Sequence, residues 1–282
     1  MNLFYHSSIQ EQLEQDLQEP IASLDRDGQL RTASNRRFFL KQGPASKTYA
    51  CEAHGLEELR KAGVIAVAEV VSVGSQHILT TYIEPHSPQA GFFERFAEQL
   101  AHLHRFQASQ YGFYEDNFIG ASPQLNRPTA QEAEDWAEFF YHKRLRYQFQ
   151  RAQQQNRVSS QLQRGFEQLS LRIGDILGAC TEAPCLLHGD LWAGNFICDE
   201  QNRAVLIDPA VYYGQREADL AMTKLFGGFS PRFYEAYQAN YPLAPDWQER
   251  EPIYLLYHLL NHLNLFGRSY LSAAEELVGR YL

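Results

Sequence analysis

The stretch Leu187-His188-Gly189-Asp190-Leu191-Trp192-Ala193-Gly194-Asn195, followed by Ile207-Asp208-Pro209, decides the fold of this chain. Asn195 lies five residues after Asp190, and Asp208 lies thirteen residues after Asn195. These intervals are typical of a phosphoryl-transfer site, in which one carboxylate meets the acceptor hydroxyl while an amide and a second carboxylate hold Mg²⁺ on the triphosphate. The pattern therefore predicts Asp190 as the catalytic base, with Asn195 and Asp208 as metal ligands.

The segment between the two predicted metal ligands has the pattern of a β-hairpin. Apolar residues at 196–198 and 204–207 flank a polar turn at 199–203. Because the strands of a hairpin lie side by side, Asn195 and Asp208 are expected at the same end of the ladder. Each residue alone would pass as a turn or strand-end residue, but their joint spacing favours a shared Mg²⁺ site.

A lysine and a glutamate in the first part of the chain are predicted to hold the nucleotide phosphates. Lys41 ends the predicted strand 36–41, and Glu52 follows eleven residues later in the predicted helix 49–63. In kinases a strand lysine contacts the α- and β-phosphates, and a helix glutamate holds that lysine in place. Because lysine and glutamate are both common on protein surfaces, the prediction for this pair depends on the kinase-like pattern around Asp190.

A glycine-rich loop before the lysine strand is the part of the kinase pattern that this chain lacks. Such a loop needs glycines so that backbone N–H groups can approach the phosphates. Before Lys41, the only glycine is Gly28, in Leu24-Asp25-Arg26-Asp27-Gly28. A non-catalytic nucleotide-binding module therefore stays open as an alternative.

The order of the predicted elements favours an α+β protein with two lobes. Strands dominate the first 84 residues, and Glu84-Pro85-His86-Ser87-Pro88 then interrupts regular structure. We expect a protein-kinase-like fold, with a small antiparallel-sheet lobe that binds nucleotide over 1–84 and a large, mainly helical catalytic and substrate lobe over 85–282. Helices of the second lobe are predicted at 92–106, 131–152, 158–177, 217–226, 232–240, 247–266 and 272–281.

Composition and short motifs exclude several functional classes. With a formal net charge of −9, the chain lacks the excess of basic residues expected of a nucleic-acid binder. No apolar run approaches the ~20 residues of a membrane span, and the N-terminus lacks a signal-peptide pattern, so we expect a cytoplasmic protein. Cys185, His188 and Cys198 do not have the spacing of a zinc site, and the His258/His262 pair lacks the accompanying glutamate of zinc proteases.

Three further polar residues are interpreted as supports of the site. His188 is expected to hydrogen-bond the loop backbone and fix Asp190, although a histidine could also titrate near neutrality. Asp219 is expected to act similarly from the following helix. Glu217 is either a first-turn acid of that helix or a substrate-facing carboxylate, and both interpretations stay open.

Several segments together resemble a known family. They are Gly112–Gly120, Ser122–Asn126, Asp135–Phe140, Arg144–Leu145, Leu187–Asn195, Ile207–Ala210, Tyr213–Met222, Leu225–Phe229 and Tyr257–Asn264. With these segments the chain resembles the fructosamine kinase (ketosamine-3-kinase) family, which is grouped with aminoglycoside and choline phosphotransferases on a protein-kinase-like fold. The His-Gly-Asp-Leu-Trp-Ala-Gly-Asn block is the most specific part of the match.

The resemblance implies an ATP- and Mg²⁺-dependent kinase that phosphorylates the 3-hydroxyl of ketosamines, a deglycation-type repair reaction. Ribulosamines or erythrulosamines, and as a further option fructosamines, on free or protein-bound amines are the implied acceptors. It also implies backbone contacts from Thr81, Tyr82 and Ile83 to adenine, and a Trp192 side chain that walls the acceptor pocket. Another hydroxyl acceptor, such as an aminoglycoside, choline or a sugar, is the alternative. We expect a monomer, with neither nucleic acid nor membrane as partner.

Overall fold

The computed structural model describes residues 3–282. Contacts within the chain group it into two compact units, one formed by Met1–Phe92 with Asn195–Pro209 and the other by Phe93–Gly194 with Ala210–Leu282. The division predicted between 1–84 and 85–282 remains a prediction. The contact-based units differ from it, because the first unit extends to Phe92 and includes the hairpin of the two predicted metal ligands.

Eleven α-helices, twelve short strands, one π-helical segment and one 3₁₀ turn make up the described chain. In chain order the elements are α1 (Ser7–Leu17), β1 (Ile21–Leu24), β2 (Gln29–Thr32), β3 (Arg37–Gln42), α2 (Thr48–Lys61), β4 (Ala66–Val67), β5 (Val70–Val73), β6 (His77–Thr81), α3 (Phe92–Leu103), β7 (Asn117–Ile119), β8 (Ser122–Gln124), α4 (Ala130–Glu134), α5 (Trp136–Phe140), a π-helical segment (Tyr141–Arg146), α6 (Tyr147–Gln154), α7 (Ser160–Gly178), β9 (Cys185–Leu187), β10 (Phe196–Cys198), β11 (Ala204–Leu206), β12 (Tyr212–Gly214), α8 (Glu217–Met222), α9 (Pro231–Asn240), α10 (Trp247–Phe266), a 3₁₀ turn (Arg268–Tyr270) and α11 (Leu271–Gly279). In residues 3–282, no helix is both long enough and apolar enough to cross a bilayer.

The first unit is built on an antiparallel five-stranded sheet in the order β1-β2-β3-β6-β5. Helix α1 covers this sheet with a stripe of apolar residues at helical spacing, Ile9, Leu13 and Leu17. The stripe packs with buried Leu30, Phe38, Leu40 and Leu79 of the strands. Helix α1 and strands β1 and β2 were not among the elements predicted from the sequence.

The predicted hairpin is present in the first unit. Strands β10 and β11 pair in antiparallel register, with Phe196 opposite Leu206, and β11 pairs in parallel with β4. The turn is held by the Asp199 carboxylate, which accepts hydrogen bonds from the backbone N–H groups of Gln201 (3.0 Å) and Arg203 (2.8 Å). The strand ends that carry the two predicted metal ligands therefore lie together.

The second unit is mainly helical, with two small antiparallel ladders, β7 with β8 and β9 with β12. The single long helix predicted over 131–152 is wrong, because the segment consists of α4, α5, the π-helical segment and α6. Asp135 causes the first break: its backbone is extended (φ −119°), and its side chain accepts the N–H of Glu138 and so starts a new helix.

Candidate active site

In the first unit, one lysine contacts two carboxylates. Lys41 in β3 donates from Nζ to Oε1 of Glu52 in α2 at 2.7 Å, and it also pairs with Asp208, which follows β11. Burial alone would lower the pKa of Lys41, but the negative charges of Glu52 and Asp208 raise it above its ordinary value. Burial is the main influence that raises the pKa of Glu52, against the lowering effect of Lys41. The lysine is therefore held protonated.

A cavity of about 240 Å³ adjoins these charged groups within the first unit. Its remaining lining is mostly apolar and comes from β3, α2, β6 and the β10–β11 hairpin, with Phe39, Leu56, Ala68, Ile78, Thr80, Thr81, Tyr82, Ile83, Pro85, Ile197 and Ile207. An apolar cavity with a few charged groups is the usual form of a small-molecule site, and its walls suit a flat aromatic base.

The three residues predicted to contact adenine all line this cavity, but their backbone groups differ in availability. The N–H of Thr81 donates to the carbonyl of Glu69 (2.9 Å), and the N–H of Tyr82 donates to that of Arg37 (3.4 Å). Within residues 3–282, the backbone of Ile83 makes no hydrogen bond. Among the three backbone N–H groups, that of Ile83 is therefore the one that can donate to a ligand without breaking a bond of the protein.

The turn between β1 and β2 lies where kinases carry a glycine-rich loop. Its backbone N–H groups form hydrogen bonds within the turn. The Asp25 side chain accepts the N–H groups of Asp27 (3.0 Å) and Gln29 (2.8 Å). The carbonyl of Asp25 accepts the N–H of Gly28 at 3.5 Å. Because these donors are occupied, the turn does not form an anion-binding nest of free N–H groups.

The two predicted metal ligands lie at the same end of the hairpin. The carbonyl of Asn195 accepts the N–H of Ile207 (3.1 Å), which directly precedes Asp208. Asp208 adopts a left-handed backbone (φ 53°), uncommon outside glycine, and its side chain is 43% exposed. An amide oxygen and a reachable carboxylate fit Mg²⁺, which proteins bind through few side chains while phosphates complete its coordination. Among residues 3–282, no three His, Cys, Asp or Glu side chains gather as a metal site.

In the second unit, a buried carboxylate holds the loop of the predicted base. Asp219 in α8 accepts the backbone N–H groups of His188 (2.7 Å) and Gly189 (2.8 Å). The ring of His188 in turn accepts the N–H of half-buried Asp190 through Nδ1, at 3.3 Å. Gly189 has φ +83°, and an added Cβ would lie 2.0 Å from the carbonyl oxygen of Ala210, so no other residue fits there.

His104 is a member of this arrangement that the sequence did not indicate. Its Nε2 lies 3.4 Å from Oδ2 of Asp219, and its Nδ1 lies 2.7 Å from the hydroxyl of Tyr237. Complete burial lowers the pKa of His104, which favours a neutral ring that accepts from Tyr237 and donates to Asp219. Burial by itself would raise the pKa of Asp219, but the hydrogen bond from His104 and the backbone N–H of Gly189 bring it below its ordinary value.

A second set of buried polar residues, also missed from the sequence, supports the segment opposite this loop. Gln124 donates to the carbonyl of Ala210 (2.9 Å), and Asn117 donates to that of Val211 (2.8 Å). The hydroxyl of Tyr257 donates to Oε1 of Gln124 at 2.7 Å. The N–H of Ala210 bonds the carbonyl of His188 at 2.8 Å, which links the set to the loop. Amides in β-strands carry no local signal of such a role.

The remaining predicted residues have different surroundings. The Trp192 ring lies over Gly194, where a Cβ would approach it to 2.4 Å, so glycine is required for this packing. Glu217 is 2% exposed and bonds Arg250 through both oxygens at 2.7 Å. Its carboxylate is thus committed to α10. This geometry favours a structural role for Glu217 over contact with substrate.

A model of the fructosamine kinase family matches residues 6–282. The chain belongs to the fructosamine kinase family. An Enterococcus faecium protein named a probable ketoamine kinase is 40% identical over 253 residues, which cover 88% of each chain. The chloroplastic protein-ribulosamine 3-kinase of Arabidopsis thaliana is 37% identical over 256 residues, covering 87% of this chain and 76% of its own length.

Solved structures agree with this family assignment. A Thermobifida fusca protein classed as a fructosamine-3-kinase has a TM-score of 0.89 and 28% identity, with 97% of this chain and 98% of that chain covered. The aminoglycoside phosphotransferase APH(2″)-IIa, solved with streptomycin and ATP, has a TM-score of 0.62 and 14% identity, with 99% and 97% covered. The second similarity shows the kinase-like fold alone.

As a member of the fructosamine kinase family, the protein is a phosphotransferase enzyme that uses ATP. The predicted protein-kinase-like fold is confirmed. The structure brings Lys41, Glu52 and Asp208 into contact in the first unit, and His188 and Asp219 into the loop of Asp190 in the second. The catalytic and binding roles of these residues remain predictions.

Proposed function

We propose that this enzyme transfers the γ-phosphoryl group of ATP to the 3-hydroxyl of ketosamines, with ribulosamines and erythrulosamines as the preferred acceptors. The observation that carries the proposal is the 40% identity, over 88% of each chain, to a protein named as a probable ketoamine kinase. The relative from Arabidopsis thaliana named as a protein-ribulosamine 3-kinase supports the 3-hydroxyl and the five-carbon sugar.

In this proposal Asp190 orients the acceptor hydroxyl and accepts its proton as the phosphoryl group moves. Asp219 acts through the backbone, since it fixes the two residues that precede Asp190. The predicted wall of the acceptor pocket, Trp192, follows in the same loop. These three residues, all in the second unit, form the acceptor side of the reaction.

The donor side is proposed in the cavity of the first unit. Adenine lies between its apolar walls and bonds the backbone of Ile83, and Lys41, held by Glu52, contacts the phosphates. Asn195 and Asp208 would hold Mg²⁺, which neutralises phosphate charge when bound. Because the β1–β2 turn offers few free N–H groups, Lys41 carries more of the phosphate contact than it would beside a glycine-rich loop.

The test is ATP consumption with Mg²⁺ and a panel of ribulose-lysine, erythrulose-lysine, fructose-lysine, choline and kanamycin. We expect turnover on the first two that falls at least about a hundredfold in Asp190→Asn. Asp175→Asn, an exposed position of α7, is the matched control and should keep full activity. Turnover on choline or kanamycin instead would replace the acceptor and keep the chemistry. Absence of turnover on every alcohol, with ATP still bound, would favour the non-catalytic module.

The donor-side roles are tested by nucleotide binding. Lys41→Met should weaken ATP binding by about tenfold, the loss of one charge-assisted phosphate contact. The exposed neighbour Lys47→Met should leave the dissociation constant unchanged. Calorimetry with ATP and Mg²⁺ gives both values, and removal of Mg²⁺ with a chelator should stop ATP consumption. A repair role, a cytoplasmic location and a monomeric state remain predictions.

A further inference from the structure

A continuous row of aromatic rings begins at the loop of Asp190. We call it the aromatic stripe; it consists of Trp192, Phe226, His262, Phe266 and Tyr270. Trp192 donates its backbone N–H to the carbonyl of Asp190 at 3.1 Å. Ring centroids are 5.8 Å apart from Trp192 to Phe226, and 4.9 Å apart from Phe226 to His262. The rings therefore form a continuous row that starts beside the predicted base.

The outer part of the aromatic stripe is open to solvent. From His262 the centroid distance is 5.3 Å to Phe266 and 5.1 Å to Tyr270. Phe266 is 65% exposed and Phe226 is 45% exposed. Single exposed apolar residues need no explanation, but these two belong to a contiguous set whose other rings are half-buried, and such a patch is a feature of binding surfaces.

The backbone at Phe226 holds its ring against its two neighbours at an energetic cost. Phe226 has φ 56°, which is unfavourable for a bulky side chain, and Gly227 and Gly228 continue in positive φ. Such strain persists where the surroundings determine the conformation, and it concentrates at functional sites. The ring of Phe226 thereby joins Trp192 to His262.

The charge of the aromatic stripe suits a cationic ligand. Burial lowers the pKa of His262, outweighing the hydrogen bond that its Nδ1 donates to the carbonyl of His258 (2.8 Å). The ring is therefore neutral at neutral pH, and it does not repel a positive group. The faces of the other rings attract cations through their π-electrons.

Building on the proposed ketosamine activity, we propose that the aromatic stripe binds the amine side of the substrate, and that it favours a glycated lysine flanked by apolar or aromatic residues. When the sugar is placed at Asp190, its secondary amine, which is protonated at neutral pH, leaves the sugar beside Trp192. A lysine side chain spans about one ring-to-ring step, which brings the peptide backbone to Phe226. The side chains of the residues next to the lysine then extend toward the outer rings, Phe266 and Tyr270.

The experiment uses two synthetic peptides that each carry one ribulosamine-lysine, flanked by Phe and Leu in one and by Ser and Gln in the other. Both have the same charge, so only the flanking surface differs. We expect the wild-type enzyme to show a kcat/KM about fivefold to tenfold higher for the apolar peptide, mainly through KM, because the flanking Phe and Leu pack on the outer rings. Phe266→Ala and Tyr270→Ala should each reduce this ratio to below about twofold.

The ratio of two substrates on one preparation is insensitive to loss of folded enzyme, which keeps the test valid for a destabilised variant. Leu171→Ala is the matched control, because Leu171 is 77% exposed on α7 and lies outside the aromatic stripe; it should keep the wild-type ratio. Equal kcat/KM for the two peptides, or a ratio unchanged in both ring variants, overturns this inference alone. Absence of phosphorylation of either peptide and of free ribulose-lysine overturns the proposed function, and this inference with it.

Discussion

Asp219→Asn is the sharpest test of how the Asp190 loop is held. The substitution keeps the shape of the side chain but removes its charge and replaces one oxygen with an NH₂ group. In the native protein the two oxygens accept the N–H groups of His188 (2.7 Å) and Gly189 (2.8 Å). In the variant one of these backbone donors faces another donor. One charge-assisted hydrogen bond is lost, and the other becomes an ordinary one.

The expected loss of stability follows from one lost and one weakened hydrogen bond. A hydrogen bond to a charged group contributes about 1.5–3 kcal/mol, and a buried donor without a partner costs a similar amount. We therefore expect the free energy of unfolding to fall by about 3 kcal/mol. Because Asp190 directly follows Gly189, displacement of the loop should also lower kcat about a hundredfold, the usual consequence of a 1 Å error in a catalytic group.

Urea unfolding and steady-state ATP consumption measure the two effects. Asp199→Asn is the matched control, because Asp199 also holds a turn through two backbone N–H groups but at the far end of the hairpin from Asn195 and Asp208. It should lose stability and keep kcat. A free energy of unfolding for Asp219→Asn within about 0.5 kcal/mol of the wild-type value, or an equal loss of kcat in both variants, would contradict this role of Asp219.

The pH dependence of stability provides an independent test of the hydrogen bonds of Asp219. Its folded-state pKa is below its ordinary value, because the hydrogen bonds from His104 and the loop outweigh the effect of burial. A carboxylate of this kind contributes stability that is present above the unfolded-state pKa of about 3.9 and is lost as pH falls through the lower folded-state pKa. The difference in stability between wild type and Asp219→Asn should therefore be largest above about pH 5 and narrow below pH 4.

Two further substitutions test the packing around the loop. Glu217→Gln leaves Arg250 buried without a charged partner, and it should lower the free energy of unfolding in urea titrations by about 3–5 kcal/mol. The control Glu94→Gln removes a charge from an exposed ion pair and should leave the urea midpoint unchanged. Equal midpoints for the two variants would contradict the role of burial. Gly189→Ala should yield inactive protein, because its Cβ would lie 2.0 Å from the carbonyl oxygen of Ala210. The control Gly174→Ala has open space around it on α7 and should raise the midpoint of thermal unfolding slightly. An active Gly189→Ala enzyme would refute the steric argument.

Features with a local signal could be predicted from the sequence. The hairpin of residues 196–207 followed from two apolar runs around a polar turn, and the structure has that pairing. The contact of Lys41 with Glu52 followed from a strand-end lysine and a helix glutamate at the spacing of kinases. Helix α10 was placed at its observed bounds, since its apolar residues recur at helical spacing over twenty residues.

Features that depend on distant partners could not be predicted. His104 reaches Asp219 across 115 residues, and Gln124 reaches Ala210 across 86, without any pattern in the neighbouring sequence. The break at Asp135 was missed because an apolar period continues through it, whereas its cap depends on one side-chain hydrogen bond. Glu217 could not be assigned because its partner, Arg250, lies in another helix.

The pairing of Glu217 with Arg250 has a consequence for the order in which the newly made chain matures. The ribosome adds Glu217 thirty-three residues before its partner, and a carboxylate that is 2% exposed in the finished protein cannot be buried alone. We therefore expect helix α8, which also carries Asp219, to settle only after α10 is available to pack on it. The loop of Asp190 is synthesised earlier than both helices, but we expect its backbone to acquire the hydrogen bonds to Asp219 only after α8 has settled.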